Sequence, residues 1–469
     1  MRISATRRAA SRVAGASFLA SIVTLAACHD LLNPPLPAGT QDPSSFNNEA
    51  GAMARYGDAV GSAWDAFVQY ARATGSMTDE LRVATVPPSG VVGDPFDERI
   101  LSEFASVPFN IPANDSVARI YAVLHVSRGA DNEAIGALAK YAPNRPASLR
   151  AELYAYTAFD EIELADLFCS GIPLSTLDFE GDFTYKPGSP TADVYQHAIA
   201  LLDTARTVGA GDANIVNLAA VGTGRALLAL GDYVNAGQAV AGVPDGFRFD
   251  HPVHWQGSTL GIGGILPILA TYTVANGEGQ NGLRYLDSQD PRSASEQIGT
   301  SQSGQPVFTP SAYIGVTPFV LASGVEARLI QAEAALQAAD ASWLNMLNTL
   351  RTDGTFDTRP NAENPEQTDT LWHAGTAGVP GLAPLDDPGS ADARVDLIFR
   401  ERAFWLFITG HRQGDLRRLV RQYHRRQESV YPTGFYQGGL SAYGTDVTAP
   451  IPPVERLNPQ FTGCINRDP

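Results

Sequence analysis

Cysteine is scarce in this chain, with three residues in 469, and that scarcity excludes both a disulfide-dense scaffold and a cysteine-rich zinc module. Histidine is scarce too. His251-Pro252-Val253-His254 pairs two imidazoles without a cysteine or carboxylate beside them, and Pro252 disfavours a helical pair, so no metal site is expected. The chain lacks a P-loop, a Gly-x-Ser-x-Gly elbow and a His-Glu-x-x-His helix. Gly261-Ile262-Gly263-Gly264 has no preceding strand signal and no later acid, so no nucleotide cofactor is implied, and none of any other kind. Positive charge is in deficit: 33 basic residues face 50 acidic ones, a formal charge of −17 that repels phosphate backbones and argues against nucleic-acid partners. Beyond the N-terminus no segment approaches about 18 uninterrupted apolar residues, so no transmembrane helix is expected.

The N-terminus carries the chain's most local signal. Arg2, Arg7, Arg8 and Arg12 form a basic stretch free of acids, and Val13 to Ala27 is apolar and too short to span a bilayer. This reads as a signal peptide over residues 1–27. It ends in Leu25-Ala26-Ala27-Cys28, which resembles a bacterial lipobox, so Cys28 is expected to become the acylated N-terminus. Several acyl chains would anchor the protein to a membrane without spanning it. Residues 28–45, including Asn33-Pro34-Pro35-Leu36-Pro37, read as a tether. Loss of the four leader arginines leaves 29 basic against 50 acidic residues, a mature charge of −21. Cys169 and Cys464 then remain; an exported pair is expected to be bonded, with two buried thiols as the alternative.

Helical periodicity is clear in several places. Leu149, Leu153, Tyr156, Phe159, Leu164 and Leu167 make one stripe over Pro146–Phe168. A second helix is expected over Asp193–Val208 and a third from about Asn214 to Leu230, with a fourth starting after Gly231-Asp232. The junction Ala226–Ala236 resembles a tetratricopeptide turn. Val325 to Arg351 repeats the pairing around Asp340. The expected fold is therefore mainly α, tetratricopeptide-like helix pairs in a single domain over 46–469. Long irregular insertions are expected near 85–112, 244–318 and 352–393, where glycine, proline, serine and asparagine dominate.

Motifs near the C-terminus resemble those of the SusD/RagB family of outer-membrane lipoproteins. Ile398-Phe399-Arg400-Glu401-Arg402 is similar to the family's Ile-x-x-Glu-Arg helix. Gly410-His411-Arg412-Gln413-Gly414-Asp415-Leu416-Arg417-Arg418 is similar to the glycine- and arginine-rich segment next in family order. Ala332-Glu333-Ala334 with Asn348-Thr349-Leu350-Arg351 resembles its Ala-Glu-Ala helix and Asn-x-x-Arg close. Ala449-Pro450-Ile451-Pro452-Pro453-Val454-Glu455 with Asn458-Pro459 is similar to its terminal motif, and Asp290-Pro291-Arg292 to a short signature ahead of the Ala-Glu-Ala helix. Thr409 and Trp405-Leu406 depart from the pattern. The resemblance implies an α-α superhelix and a nutrient-binding lipoprotein of the outer membrane facing the exterior. It also implies a SusC-like TonB-dependent transporter as partner and a glycan or oligopeptide as ligand.

Glu401, Arg402, Arg412 and Asp415 are expected on one helical run, as structural ion pairs and helix-end partners and not as catalytic groups. The basic run Arg417, Arg418, Arg421, Arg425 and Arg426 is expected to pair internally. Ligand contacts are expected among the insert aromatics that helix packing does not explain, Phe96, Trp255, Tyr272, Tyr285, Tyr313 and Trp372, taken as a cluster. Two other classes fit less well: a tetratricopeptide-like envelope assembly protein, and an envelope glycoside hydrolase.

Overall fold

The computed structural model describes residues 43–83, 115–179, 181–251, 272–300, 304, 306–310, 319–352, 357–360, 368–371, 382–435 and 442–469. Two compact units divide the chain, Met1–Gly51 and Ala52–Pro469. Of the first, the described part is a 3-10 turn, Pro43–Phe46, and the opening turn of the first helix.

The fold is mostly helical, with eleven α-helices among the described residues. They are α1 (Glu49–Met77), α2 (Asp115–Tyr141), α3 (Ala147–Leu167), α4 (Thr191–Val208), α5 (Ala213–Leu230) and α6 (Tyr233–Ala239). After these come α7 (Gly324–Gln337), α8 (Ser342–Thr352), α9 (Ala391–Trp405), α10 (His411–Arg421) and α11 (Gln427–Val430). Consecutive helices pack side by side, α2 on α3, α3 on α4, α4 on α5 and α7 on α8, as stacked pairs must to bury their faces. Helix α3 runs through the middle, buried on every side of its second half, including Phe159, Ile162 and Leu164. Its fully buried Glu161 is matched by Arg128 of α2 at 2.9 Å.

Helix α5 has the length and apolarity of a membrane span, yet it lies among its neighbours. Its Arg225 is bonded to Glu326 of α7 at 2.8 and 2.9 Å. The turn to α6 needs Gly231 in the left-handed region (φ 78°), and Asp232 then caps α6 by accepting from Asn235 N. This is the geometry expected at that junction.

The regions expected as irregular insertions hold more order than their composition suggests. Within 244–318, β7 (Tyr272–Val274) pairs antiparallel with β1 (Leu81–Val83) from outside that range, and β8 (Ser295–Thr300) pairs with β9 (Pro306–Pro310). β6 (Arg248–His251) pairs with β10 (Phe319–Ser323). Within 352–393, β11 (Asp357–Pro360) pairs with β12 (Thr368–Leu371), and α9 already begins at Ala391. β1 and β6 find partners far along the chain, and β8 and β11 pair across short glycine- or proline-containing stretches; none of this text shows clear alternation. Two further short pairs, β2 (Ile172–Pro173) with β5 (Gly188–Ser189) and β3 (Thr176–Leu177) with β4 (Phe183–Thr184), make a hairpin after α3.

The C-terminal tail is fastened where α3 ends. Cys169 and Cys464 are joined at an S–S distance of 2.01 Å across 295 residues, and Cys169 N donates to Ala449 O at 2.8 Å. Ile465 N donates to Ser170 O beside them.

Candidate functional site

The motif residues occupy two helices and not one run. Helix α9 stops at Trp405 and α10 restarts at His411, because the 406–410 turn places Ile408 at φ 57°, a conformation no helix contains. All four residues, Glu401, Arg402, Arg412 and Asp415, are buried.

Their partners come from far along the chain. Glu401 accepts from Arg292 at 2.7 and 3.1 Å and from Arg351 at 2.8 Å. Arg292, 1% exposed, also donates to Asp290 at 2.9 and 2.7 Å, and its guanidinium lies over Phe404 and Trp405. Burial would raise the Asp290 carboxyl, but the Arg292 hydrogen bonds and charge hold it below the usual range. Asp415 bridges Arg402 (2.8 Å) and Arg418 (3.0 Å); against the push of burial these two cations keep its pKa down at about 2. Arg418 then reaches Glu333 of the Ala-Glu-Ala segment at 2.5 and 2.9 Å. A Cβ at Gly414 would come within 2.9 Å of an Asp166 carboxylate oxygen, so that carboxylate would have to shift to admit any larger residue.

The basic run ends other helices. Arg417 donates to the carbonyls of Ala165 and Asp166 at the C-terminus of α3, and Arg421 to Ala229 O at the C-terminus of α5. Cations there satisfy orphan carbonyls and complement the helix dipole. Arg425 instead pairs with Asp392 and Asp396. These charges hold the scaffold together.

Alongside this network lies a cleft of about 520 Å³, bounded by β1, β8, β9 and the 285–295 turn. Arg82, Asn276, Tyr285, Asp287, Ser295 and Phe308 are among its lining residues. The size is that of a small-ligand pocket, and the lining mixes an aromatic and aliphatic part with a few amide, hydroxyl and charged groups. Asn276 Oδ1 is buried and makes no hydrogen bond among the described residues. Phe308 is fixed from behind, its N–H donating to Thr273 Oγ1 at 2.8 Å.

Of the aromatics expected to touch ligand, Phe96, Trp255, Tyr313 and Trp372 lie outside the described residues, as does Cys28, and Tyr272 is described only as a backbone position of β7 opposite Val83. Tyr285 is placed, and its ring is packed among protein side chains and not open to a ligand. It is 1% exposed, packs on Phe404 and Phe407, and donates its hydroxyl to Glu278 at 2.8 Å. It anchors its own loop and closes the back of the cleft. Asn276, Phe308 and Arg82 escape a reading of the sequence, since their convergence depends on strand pairings that leave no local signature.

No family model and no curated protein matches this sequence. Solved structures do. A SusD-like protein from Bacteroides fragilis matches at 14% identity and TM-score 0.54, covering 91% of this chain and 98% of its own. A SusD-like carbohydrate binding protein from Bacteroides vulgatus matches at 14% identity and TM-score 0.53, covering 87% of this chain and 97% of its own. A SusD superfamily protein from Bacteroides thetaiotaomicron gives 12% identity and TM-score 0.58, with 88% and 100% covered. At such identities the likeness is one of fold, and it spans nearly the whole described body: this chain has the SusD-like fold.

Proposed function

We propose that this chain is a lipid-anchored outer-membrane protein that captures a nutrient, a glycan or an oligopeptide, and passes it to a SusC-like TonB-dependent barrel. It works by binding and performs no chemistry of its own. The observation that carries this reading is the SusD-like fold over 91% of the chain, in company with a match that is itself a carbohydrate binding protein. The signal peptide and Cys28 supply the anchor. Phe96, Trp255, Tyr272, Tyr313 and Trp372 are proposed as the stacking contacts to the ligand. A strongly acidic chain suits an uncharged ligand, held by an aromatic face and hydrogen bonds.

Titration of the purified mature chain with a panel of neutral glycans and oligopeptides tests the reading. One class is expected to bind saturably, and Ala294→Trp, at an exposed position on the cleft, should weaken it at least about tenfold. Saturable binding unchanged by that tryptophan would remove the cleft from the proposal. No binding across the panel would remove nutrient capture.

A further inference from the structure

The chain has only two lysines, Lys140 and Lys186, against 31 arginines, and the fold brings both to one hairpin. Lys140, in the last turn of α2, lies over the rings of Tyr141 and Phe179, at 5.5 and 5.3 Å from their centroids. Phe179 belongs to the turn between β3 and β4, and Lys186 follows shortly after β4. Both lysines are exposed.

The outer surface of that hairpin is apolar. Leu177 stands opposite Phe183 in the β3–β4 register, so the two share a face. Phe183 is 54% exposed, and its ring meets that of Tyr185 edge-on at 4.7 Å. Leu457, 77% exposed, closes the neighbouring 3-10 turn Pro453–Leu457. That turn is tied to the hairpin, since Asn458 donates to Lys186 O at 2.8 Å and Gln460 to Tyr185 O at 3.1 Å. Single exposed apolar residues are ordinary, whereas a group of them rimmed by charge marks a docking face.

The chemistry of the rim fits a lipid surface. Aromatic and leucine side chains settle at the headgroup boundary of a bilayer, and lysine stems extend from there to carry the ammonium to lipid phosphates. Local charge is balanced: Lys140 and Lys186 stand with Asp178 and Asp182 of the turn, and Arg55 is bonded to Glu133 at 2.8 Å. That balance suits zwitterionic headgroups on a chain that is otherwise strongly acidic. The course of the chain agrees. The body begins at Ala52, and Arg55, one turn along α1, lies 5.9 Å from the Phe179 ring centroid. The segment that runs back to Cys28 therefore joins the body beside this hairpin.

We propose that this face, Leu177, Phe183, Tyr185 and Leu457 with Lys140 and Lys186, rests on the lipid leaflet that holds the anchor. The apolar side chains enter the headgroup boundary and the two ammonium groups meet lipid phosphates. Its setting rests on the acyl anchor proposed at Cys28, while the contact itself is made by the folded body. Each contact is weak alone, and the tether makes it count by keeping the face at high local concentration.

The whole mature chain carrying Cys28→Ser tests this when an N-terminal histidine tag holds it on vesicles of phosphatidylethanolamine and phosphatidylcholine doped with a nickel-chelating lipid. An environment-sensitive fluorophore on Leu177→Cys is expected to shift to the blue on these vesicles and to lose intensity when the lipid acyl chains are brominated. The same fluorophore on Val234→Cys, exposed on α6, should report water throughout. Phe183→Ser with Tyr185→Ser, both at exposed positions, should abolish the shift while leaving the thermal transition in place. No shift and no quenching at Leu177→Cys would overturn the proposal. So would a shift that follows protein concentration without vesicles, which would assign the face to a second copy of the chain, or a shift that survives the double serine change. Acylation of Cys28 is read separately, from the mass of the native N-terminal peptide, so loss of the anchor and loss of the lipid contact are distinct results.

Discussion

Replacing Glu401 by alanine is expected to lower the stability of the folded chain by about 3–5 kcal/mol, because it removes one partner from a buried charge chain and leaves the others uncompensated. Glu401 is 1% exposed and receives two arginines, Arg292 and Arg351, from separate parts of the sequence. Arg292 keeps Asp290, so part of its charge stays balanced, but Arg351 loses its carboxylate altogether. The attraction within such a network is not a large net gain over a well-packed apolar core. The cost of the substitution arises from breaking the network, not from making it. A double-mutant cycle separates the two. Glu401→Ala combined with Arg351→Ala should cost clearly less than the sum of the single changes, with a coupling of about 1–3 kcal/mol. The measurement is the urea unfolding midpoint at constant slope. The exposed pair Arg394–Asp387 is the control, and its loss should leave that midpoint nearly unmoved. A Glu401→Ala chain as stable as the parent would contradict the structural role given to the Glu-Arg motif.

The second large effect depends on pH. Glu80 is fully buried; its Oε1 accepts the N–H of Ile408 at 2.9 Å, and its Oε2 makes no hydrogen bond among the described residues. Burial raises its carboxyl from 4.5 to about 8, even though the Ile408 N–H and the Arg412 charge pull the other way. At neutral pH the folded chain therefore holds a proton that the unfolded chain has released. Stability should fall as pH rises from 4.5 to about 8, by up to about 1.4 kcal/mol per pH unit, and level off above that. Glu80→Gln keeps an acceptor for Ile408, which sits at φ 57° in the turn between α9 and α10, and removes the ionisation. The variant should match the parent near pH 4.5 and exceed it by about 4 kcal/mol at pH 8 and above. Unfolding midpoints across that range check it. A difference that stays constant with pH would show that Glu80 does not carry the proton.

Glu401 and Glu80 differ in how far the sequence reveals their importance. The helices α3, α4, α5, α7 and α8 are legible because their apolar residues recur at helical spacing between sharp stops such as Gly231-Asp232. Helix α1 is not, since much of its buried face is alanine (Ala52, Ala59, Ala63, Ala66), and alanine marks no face in a hydropathy pattern. Glu401 and Arg292 each stand in a recognisable motif, but nothing local says that they meet across 109 residues. Glu80 lies in no motif at all, and the Ile408 N–H it accepts comes from 328 residues further along the chain. The cleft is legible only as an insertion rich in polar residues and aromatics. Which of those residues converge is decided by the pairing of β7 with β1 and of β8 with β9, short strands without period-two alternation.

Affinity capture from native outer membranes, through a tag at the C-terminus and coupled to mass spectrometry, tests the proposed role most directly. A TonB-dependent barrel recovered in near-equal amount with this chain is the predicted result. Recovery of periplasmic or assembly proteins with no barrel would contradict the transport role and support a tetratricopeptide-like assembly scaffold in its place.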